Sequence, residues 1–293
     1  MGDLPAVILS GIVSGSSYAL LALGIVIIFR STDTVNFAIG DTGTLAVFVA
    51  GTLIASGLPV VAGLLLAIVL AGLIGMATER LLIRPLGHGR NVLFIALVIT
   101  IGLGLLIHAG IYLGWGTRPR SFPVLIEGSV KVFGIALAWN KILAALIAAV
   151  AMICIAWFFT KTAFGIAMRA TAEDPGAARM IGIDAGRVAT IAWFVGCGIA
   201  AIAAFFLAAD TSLNASLTVS ALFRAFAGVF LGGLTSMAGA VIGGFVIGVL
   251  DNIAGRYISA NYRDTIVFAT IVLVLFIRPA GVLGAGRKER VLQ

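Results

Sequence analysis

Nine apolar runs recur along the chain, near residues 6–29, 37–56, 60–79, 92–113, 140–159, 188–209, 219–234, 238–255 and 264–277. Most approach the roughly 20 residues a helix needs to cross a hydrocarbon core. A water-soluble fold buries a few such segments, but it must cover its surface with polar side chains, and here 61% of 293 residues are hydrophobic and 11% charged. The expected fold class is all-α: a polytopic transmembrane helical bundle of about eight to ten spans, forming one domain over residues 1–293. Several runs are short or rich in glycine, as in membrane helices that are broken or re-entrant where neighbours satisfy the loosened backbone.

The opening "MGDLPAVILSGIVSG" carries Asp3 where a secretory signal has Lys or Arg, and no small-residue cleavage site follows. It is expected to stay as the first span. Cys154 and Cys197 lie inside apolar runs and suggest neither a disulfide framework nor a metal site. His88 and His108 stand alone. With no HExxH, CxxC, GxSxG or phosphate-cradling glycine loop, the sequence assembles no catalytic set, metal site or cofactor site, and an enzyme is not expected.

Net charge is +7, and its placement argues against nucleic acid. With nine crossings and the N-terminus outside, Arg30, the trio Arg80, Arg84 and Arg90, the window 161–187 and the tail residues Arg278, Arg287, Lys288 and Arg290 share the cytoplasmic side, which holds 12 of the 19 Lys and Arg. Arg118, Arg120, Lys131, Lys141, Arg256 and Arg263 fall outside, and Arg224 lies within a run. This is the positive-inside bias of a multi-pass protein with an outer N-terminus and a cytoplasmic C-terminus.

The longest outer loop, 114–139, starts with a proline-rich turn and contains "VKVFGIAL", which reads as a small strand or interfacial segment. Trp115 and Trp139 bracket it as interface residues. Two segments beginning Thr-Val, at 34 and 218, share a phenylalanine followed by two glycine-punctuated runs, the pattern of an internal duplication. The stretch 219–255 reads equally as two short crossings or as a re-entrant hairpin plus a helix, with the small residues of "LTSMAGAVIGG" (234–244) expected to form a packing seam.

Residues 161–187, "KTAFGIAMRATAEDPGAARMIGIDAGR", concentrate charge between two apolar runs. They read as a helix ending near Thr171, a break at Glu173, Asp174 and Pro175, and a short helix through Met180 stopped by Gly182. Asp174 is placed to cap that short helix, with Pro175 at its first position. Ala177, Ala178 and Ile181 are expected to form a small-residue face. These residues alone leave a docking element and an ordinary capped loop as equal readings.

In "NFAIGDTGT" (36–44), Asn36 and Asp41 flank glycine at the start of an apolar run. There a carboxylate either lines a pathway or caps the helix, since a buried charge needs a partner or water. Asn36, Phe37, Gly40, Asp41 and Thr42 are the translocation-pathway candidates. Asp210, Arg224, Asp251 and Asn252 lie in or beside apolar runs, and an Arg224–Asp251 pair joining the last segments is as reasonable as a solute contact. His108 reads as a lone interface residue and His88 as solvated.

Four motifs, in order along the chain, carry a family resemblance. "VNFAIGD" (35–41) resembles a Val-Asn-Phe-Ala-x-Gly-acid signature, and "ERLLIRPLGHG" (79–89) a first cytoplasmic loop. "RATAEDPGAARMIGID" (169–184) resembles the pattern Arg-Ala-x-Ala-x-Asp-x-x-x-Ala-x-x-x-Gly-Ile, and "YRDTIVFATIVLVLFIRPAGVLG" (262–284) a last span with its Arg-Pro-x-Gly ending. Together they resemble the branched-chain amino-acid ABC-importer permeases, the Liv-type family. The resemblance implies a membrane permease subunit in the bacterial inner membrane, without ATP chemistry of its own, moving branched-chain or other hydrophobic amino acids. It also implies two ATPase subunits, a second homologous permease in a heterodimer or homodimer, and an extracytoplasmic solute-binding protein. By the same resemblance Arg169, Ala172, Glu173, Asp174, Ala177, Ala178, Gly182 and Ile183 belong to the ATPase-coupling loop. Asp41 stands where many relatives carry Glu.

Three other readings stay open on the sequence. A permease of the same family for urea, short amides or another small solute has the same features. An ion-coupled secondary transporter would need a coupling-ion site, for which Asp41 alone is thin support. An intramembrane enzyme would need a nucleophile and base or a metal set.

Overall fold

The computed structural model describes residues 4–87, 91–132, 135–278 and 281–283. Asp3, His88, Arg90, Arg287, Lys288, Arg290 and the Pro279 and Gly284 of the terminal motif lie outside the described residues. Each of the nine apolar runs is a helix. In chain order the elements are α1 (Leu4–Thr32), α2 (Ile39–Ala55), α3 (Val60–Thr78), α4 (Val92–Trp115), β1 (Ser129–Val132), β2 (Ile135–Ala138), α5 (Trp139–Lys161), α6 (Ala163–Glu173), α7 (Pro175–Met180), α8 (Ala185–Asp210), α9 (Val219–Gly232), α10 (Met237–Tyr257) and α11 (Arg263–Ile277). A π-helical turn, Glu79–Ile83, and a 3₁₀ turn, Arg84–Leu86, extend α3, and a second 3₁₀ turn, Ala260–Tyr262, precedes α11.

Among the described residues, seven helical segments are long and apolar enough to cross a membrane. The apolar helices α2 and α9 are shorter, with 17 and 14 residues. At 1.5 Å per residue they reach about 26 and 21 Å, less than the roughly 30 Å of a hydrocarbon core.

Burial orders the bundle. The apolar windows of α1 and α8 are 78% and 72% buried, against 22% for α4 and α5, so the first two form the centre and the others the flank. Leu20, Leu21, Ala22, Leu23, Ile25, Val26, Ile27 and Ile28 of α1 are all nearly inaccessible, although together they point in every direction around the helix. This is the mark of a helix enclosed by other helices. Its partner α10 runs antiparallel, with Gly244 set against Ala19 and Gly248 against Gly15. A Cβ on Gly11 would lie 2.6 Å from the Cα of Val249, so this contact exists only without side chains. In lipid, where apolar surface gains little by leaving its surroundings, such close packing is a main source of helix association.

The same device joins α9 to α10. Gly228 faces Gly243 and Gly244, and Gly232 faces Gly239. Residues 219–255 are therefore two antiparallel helices joined by a turn in which Gly233 has φ +104°, and the 234–244 stretch is a packing seam as the sequence indicated. Arg224 fixes the hairpin to the last helix. Its Nε donates to Asp251 Oδ1 at 2.9 Å, its Nη2 to Asp264 Oδ1 at 2.9 Å and its Nη1 to the Ser220 carbonyl at 3.0 Å. The Arg224–Asp251 pair expected from sequence is present, with Asp264 of α11 as a second partner.

The two ends of the bundle differ. At one, Thr32 closing α1 accepts a 3.3 Å hydrogen bond from Trp193 Nε1, and α6, α7 and the turn after α3 gather around the start of α8. At the other, Lys141 meets Asp210 at 2.8 Å, Arg120 pairs by backbone with Leu213, and Trp115 Nε1 donates to Thr52 at 2.7 Å. The expected strand in 114–139 is a two-stranded antiparallel hairpin, Ser129 opposite Ala138 and Val132 opposite Ile135, with its turn 133–134 outside the described residues.

Candidate functional site

The charged window is built as an arm on the end of α5. Thr162 ends α5 and caps α6, its hydroxyl accepting from Gly165 N at 3.2 Å. Gly165 sits against the Phe159 carbonyl so closely that no side chain fits there. Phe158, Phe159 and Phe164 pack ring against ring at 5.3 to 6.0 Å across the corner. Gly165, Met168 and Thr171 form the buried face of α6, at helical spacing, while Arg169, Ala172 and Glu173 are exposed.

The short helix α7 has both ends closed. Asp174 Oδ1 accepts from Gly176 N at 2.8 Å and Ala177 N at 3.0 Å, satisfying two orphan donors. At the other end Ile183 N donates to the Ala178 carbonyl and Gly182 N to that of Arg179, each at 3.0 Å. Gly182, at φ +84°, occupies the left-handed position this double bond requires. Asp184 then caps α8 through Gly186 N and Arg187 N. Six residues capped at both ends make a stiff, protruding helix.

Its outward surface departs from the small-residue face expected over Ala177, Ala178 and Ile181. Ala178 is only 2% exposed, because it turns inward toward the body of the subunit. Ala177 and Ile181 face out, and Met180, which the sequence reading did not select, is 89% exposed beside Ile181 at 74%.

A second feature absent from the sequence reading lies at the start of α8. Arg84 forms a two-pronged bond with Glu79, Nε to Oε1 at 3.0 Å and Nη2 to Oε2 at 3.1 Å. Its Nη2 also donates to the Gly186 carbonyl and Thr190 Oγ1, both at 2.6 Å. Thr190 donates in turn to Glu79 Oε2 at 2.7 Å. Glu79 is 3% exposed and Thr190 2%, so the turn after α3 is locked to the first turn of α8, the helix that follows α7.

The pathway candidates gather where the two short helices cross. After α1 the chain turns back at Asp33, whose φ is +52°, passes through residues 34–36 without regular structure, turns at Phe37 and Ala38, and starts α2 beside Gly24 and Cys197 in the interior of the bundle. Thr44 and Thr218 share a 2.9 Å hydrogen bond, Gly40 packs on Thr218 and Leu222, and Phe37 meets Phe226 at 5.0 Å. Neighbours thus run from 44 down to 37 on one side as they run from 218 up to 226 on the other. The first turns of α2 and α9 lie side by side, pointing in opposite directions.

The five candidates divide by burial. Asn36, Gly40 and Thr42 are enclosed. Asn36 Oδ1 accepts from Ala38 N at 3.0 Å and folds the entry turn, while Thr42 donates to the Ile39 carbonyl at 2.8 Å. Phe37 and Asp41 keep open surface. The capping alternative for Asp41 fails, because Asp41 lies inside the first turn, the cap position is Ala38, and no side-chain cap bond is made there. Its carboxylate points to α4, over Gly104 and toward His108, with Oδ1 3.9 Å from Nδ1. His108 is therefore not a lone residue. It also meets Tyr112 edge-on at 5.0 Å, and Asp41 and His108 retain 17% and 25% side-chain exposure.

An enclosed central helix, two short helices crossing at their starts, and a stiff capped helix projecting from one end define a multi-pass α-helical membrane transport subunit. The family model described as branched-chain amino acid transport system / permease component matches residues 7–275, and the chain belongs to that family, one of transport permeases and not of enzymes. The high-affinity branched-chain amino acid transport system permease protein LivH of Salmonella typhimurium is 31% identical over 96% of this chain and 96% of its own. The corresponding BraD permease protein of Pseudomonas aeruginosa is 29% identical over 97% of both chains. The autoinducer 2 import system permease protein LsrC of Salmonella paratyphi B is 29% identical over 80% of this chain and 66% of its own.

Proposed function

We propose that this chain is the membrane-spanning permease subunit of an ATP-driven importer for branched-chain or other hydrophobic amino acids. It sits in the bacterial inner membrane with its N-terminus outside and its C-terminus in the cytoplasm. Residues 1–293 act as one permease domain, with 161–187 as its coupling loop. Two ATPase subunits bind from the cytoplasm, a second homologous permease completes the pathway, and an extracytoplasmic binding protein delivers the solute. The observation that carries the reading is α7: a helix capped at both ends that presents Met180 and Ile181 to solvent at the end of the bundle where Arg30, Arg84, Arg179 and Arg187 collect.

The mechanism follows from what holds α7. ATPase closure pushes it. The aromatic corner carries the push through α6 to α5, while the Arg84 brace carries it to α3 and α8. Gly24 of α1 packs on Gly196 of α8 and on Ile39 of α2, and Gly43 of α2 lies directly on the Ala200 carbonyl of α8, so tilting α8 shifts the crossing of α2 and α9. A zwitterion passing there meets the positive ends of two helix dipoles for its carboxylate and Asp41 for its ammonium, with Phe37 beside its side chain. The relative named for autoinducer 2 import supports a second reading, the same machinery moving a different small polar solute.

The test replaces both exposed side chains, Met180→Glu with Ile181→Glu, in the assembled transporter. The expected result is normal membrane insertion with loss of ATPase co-purification and of uptake. Full uptake in that variant would dismiss α7 as the docking element.

A further inference from the structure

A cavity of about 600 Å³ lies between α5 and α10, floored by α1, at the end of the bundle that carries α6. Met152 and Phe159 line one wall and Met237 and Ile242 the other, while the mouth holds Arg30 and Arg169. Among the described residues the lining holds no Asp or Glu, and Arg169 donates a long 3.4 Å hydrogen bond to the Thr160 carbonyl. The field at Arg30 from Arg169 outweighs that from Glu173. Two guanidiniums thus share the mouth of an apolar slot.

We infer that this groove binds an anionic glycerophospholipid, its phosphate between Arg30 and Arg169 and an acyl chain along α5 and α10. The parts match in order. The cations lie where α1 and α5 end, at headgroup depth, and the apolar walls extend from there along spanning helices. Wall residues Ile153 and Ile242 are 68% and 51% exposed, so the slot opens sideways as a lipid requires. Basic pockets between spanning helices suit anionic headgroups. Arg169 belongs to α6, so a bound headgroup bridges the coupling arm to α1 and stiffens the arm's attachment. The slot is separate from the crossing of α2 and α9 and from the exposed Met180 and Ile181 of α7, and it shares Arg169 with the coupling loop.

The experiment uses the full-length chain purified from membranes and placed in nanodiscs of phosphatidylcholine with a small fraction of phosphatidylglycerol. Lipid remaining after exhaustive detergent washing is counted by native mass spectrometry. The wild-type chain is expected to retain phosphatidylglycerol selectively, and Arg30→Gln with Arg169→Gln to weaken that retention about thirtyfold, from the usual contribution of a basic side chain at an anionic surface. Ile153→Trp, which fills the slot and keeps both arginines, is expected to lose the lipid too. Equal phosphatidylglycerol retention by wild type and the double-arginine variant overturns the proposal. So does release of the lipid by millimolar inorganic phosphate, which makes the site one for a free anion. A disulfide from Ile153→Cys to a neighbouring permease chain overturns it as well, since protein then covers the groove.

Discussion

Arg84 shows how much one side chain holds. It bonds a carboxylate, a carbonyl and a hydroxyl on two elements, and its partner Glu79 is almost fully enclosed. Arg84→Ala leaves that carboxylate with only Thr190, an arrangement that costs several kcal/mol when fully buried. The Arg84 side chain is 44% exposed, so solvent softens the loss to about 2 kcal/mol. A lower thermal midpoint in detergent and impaired uptake are expected. Replacing both residues by leucine should restore most of the midpoint but not the uptake, because it removes the buried charge and also cuts the link to α8. Asp41 and His108 make a different case, since their 3.9 Å separation is too long for a firm hydrogen bond and leaves both groups open to a solute. Asp41→Asn and His108→Gln should each slow initial uptake while ATPase subunits still co-purify, and the double variant should be no slower than the worse single one. Additive losses would separate the two residues. Neither pairing was legible in the sequence. Asp41 stood out because carboxylates are rare in apolar runs, but its partner lies on another helix, and Thr190 is 111 positions from Glu79.

At the scale of elements, α7 was the most legible part of the chain. Asp174, Pro175 and Gly182 each have a local reason to start or stop a helix, and such rules depend on few neighbours. The orientation of α7 was not legible, because which side of a six-residue helix faces the body depends on α8, and so Ala178 was expected outside and Met180 went unnoticed. Asp174→Ala removes the acceptor for Gly176 N and Ala177 N and should destabilise the short helix by about 1 kcal/mol. Hydrogen exchange over 175–181 is expected to rise severalfold while the spanning helices stay protected. Unchanged exchange would mean that α7 is held from outside its own cap.

For the whole molecule, the glycines decide the architecture. Those of α1, α9 and α10 bring three backbones together, and α8 packs on α1 through Gly24 and Gly196. Each of the nine apolar runs that hydropathy marks is helical, because lipid demands continuous apolar runs, and among the described residues seven helical segments are long and apolar enough to cross. Hydropathy did not reveal that α2 starts inside the bundle, since that depth is set by Gly24 of α1 and Cys197 of α8, on helices remote in sequence. The two Thr-Val segments run in opposite directions where they meet, the relation an inverted duplication produces. The central claim is that a chain without fuel-consuming chemistry is worked through α7 by an external motor. The most direct measurement is radiolabelled leucine uptake into proteoliposomes holding binding protein and permeases, with and without the ATPase subunits, under no ion gradient. The account predicts accumulation above the external concentration only when ATPase subunits and ATP are present, and none with the Met180→Glu, Ile181→Glu variant. Accumulation by the permeases alone would contradict it.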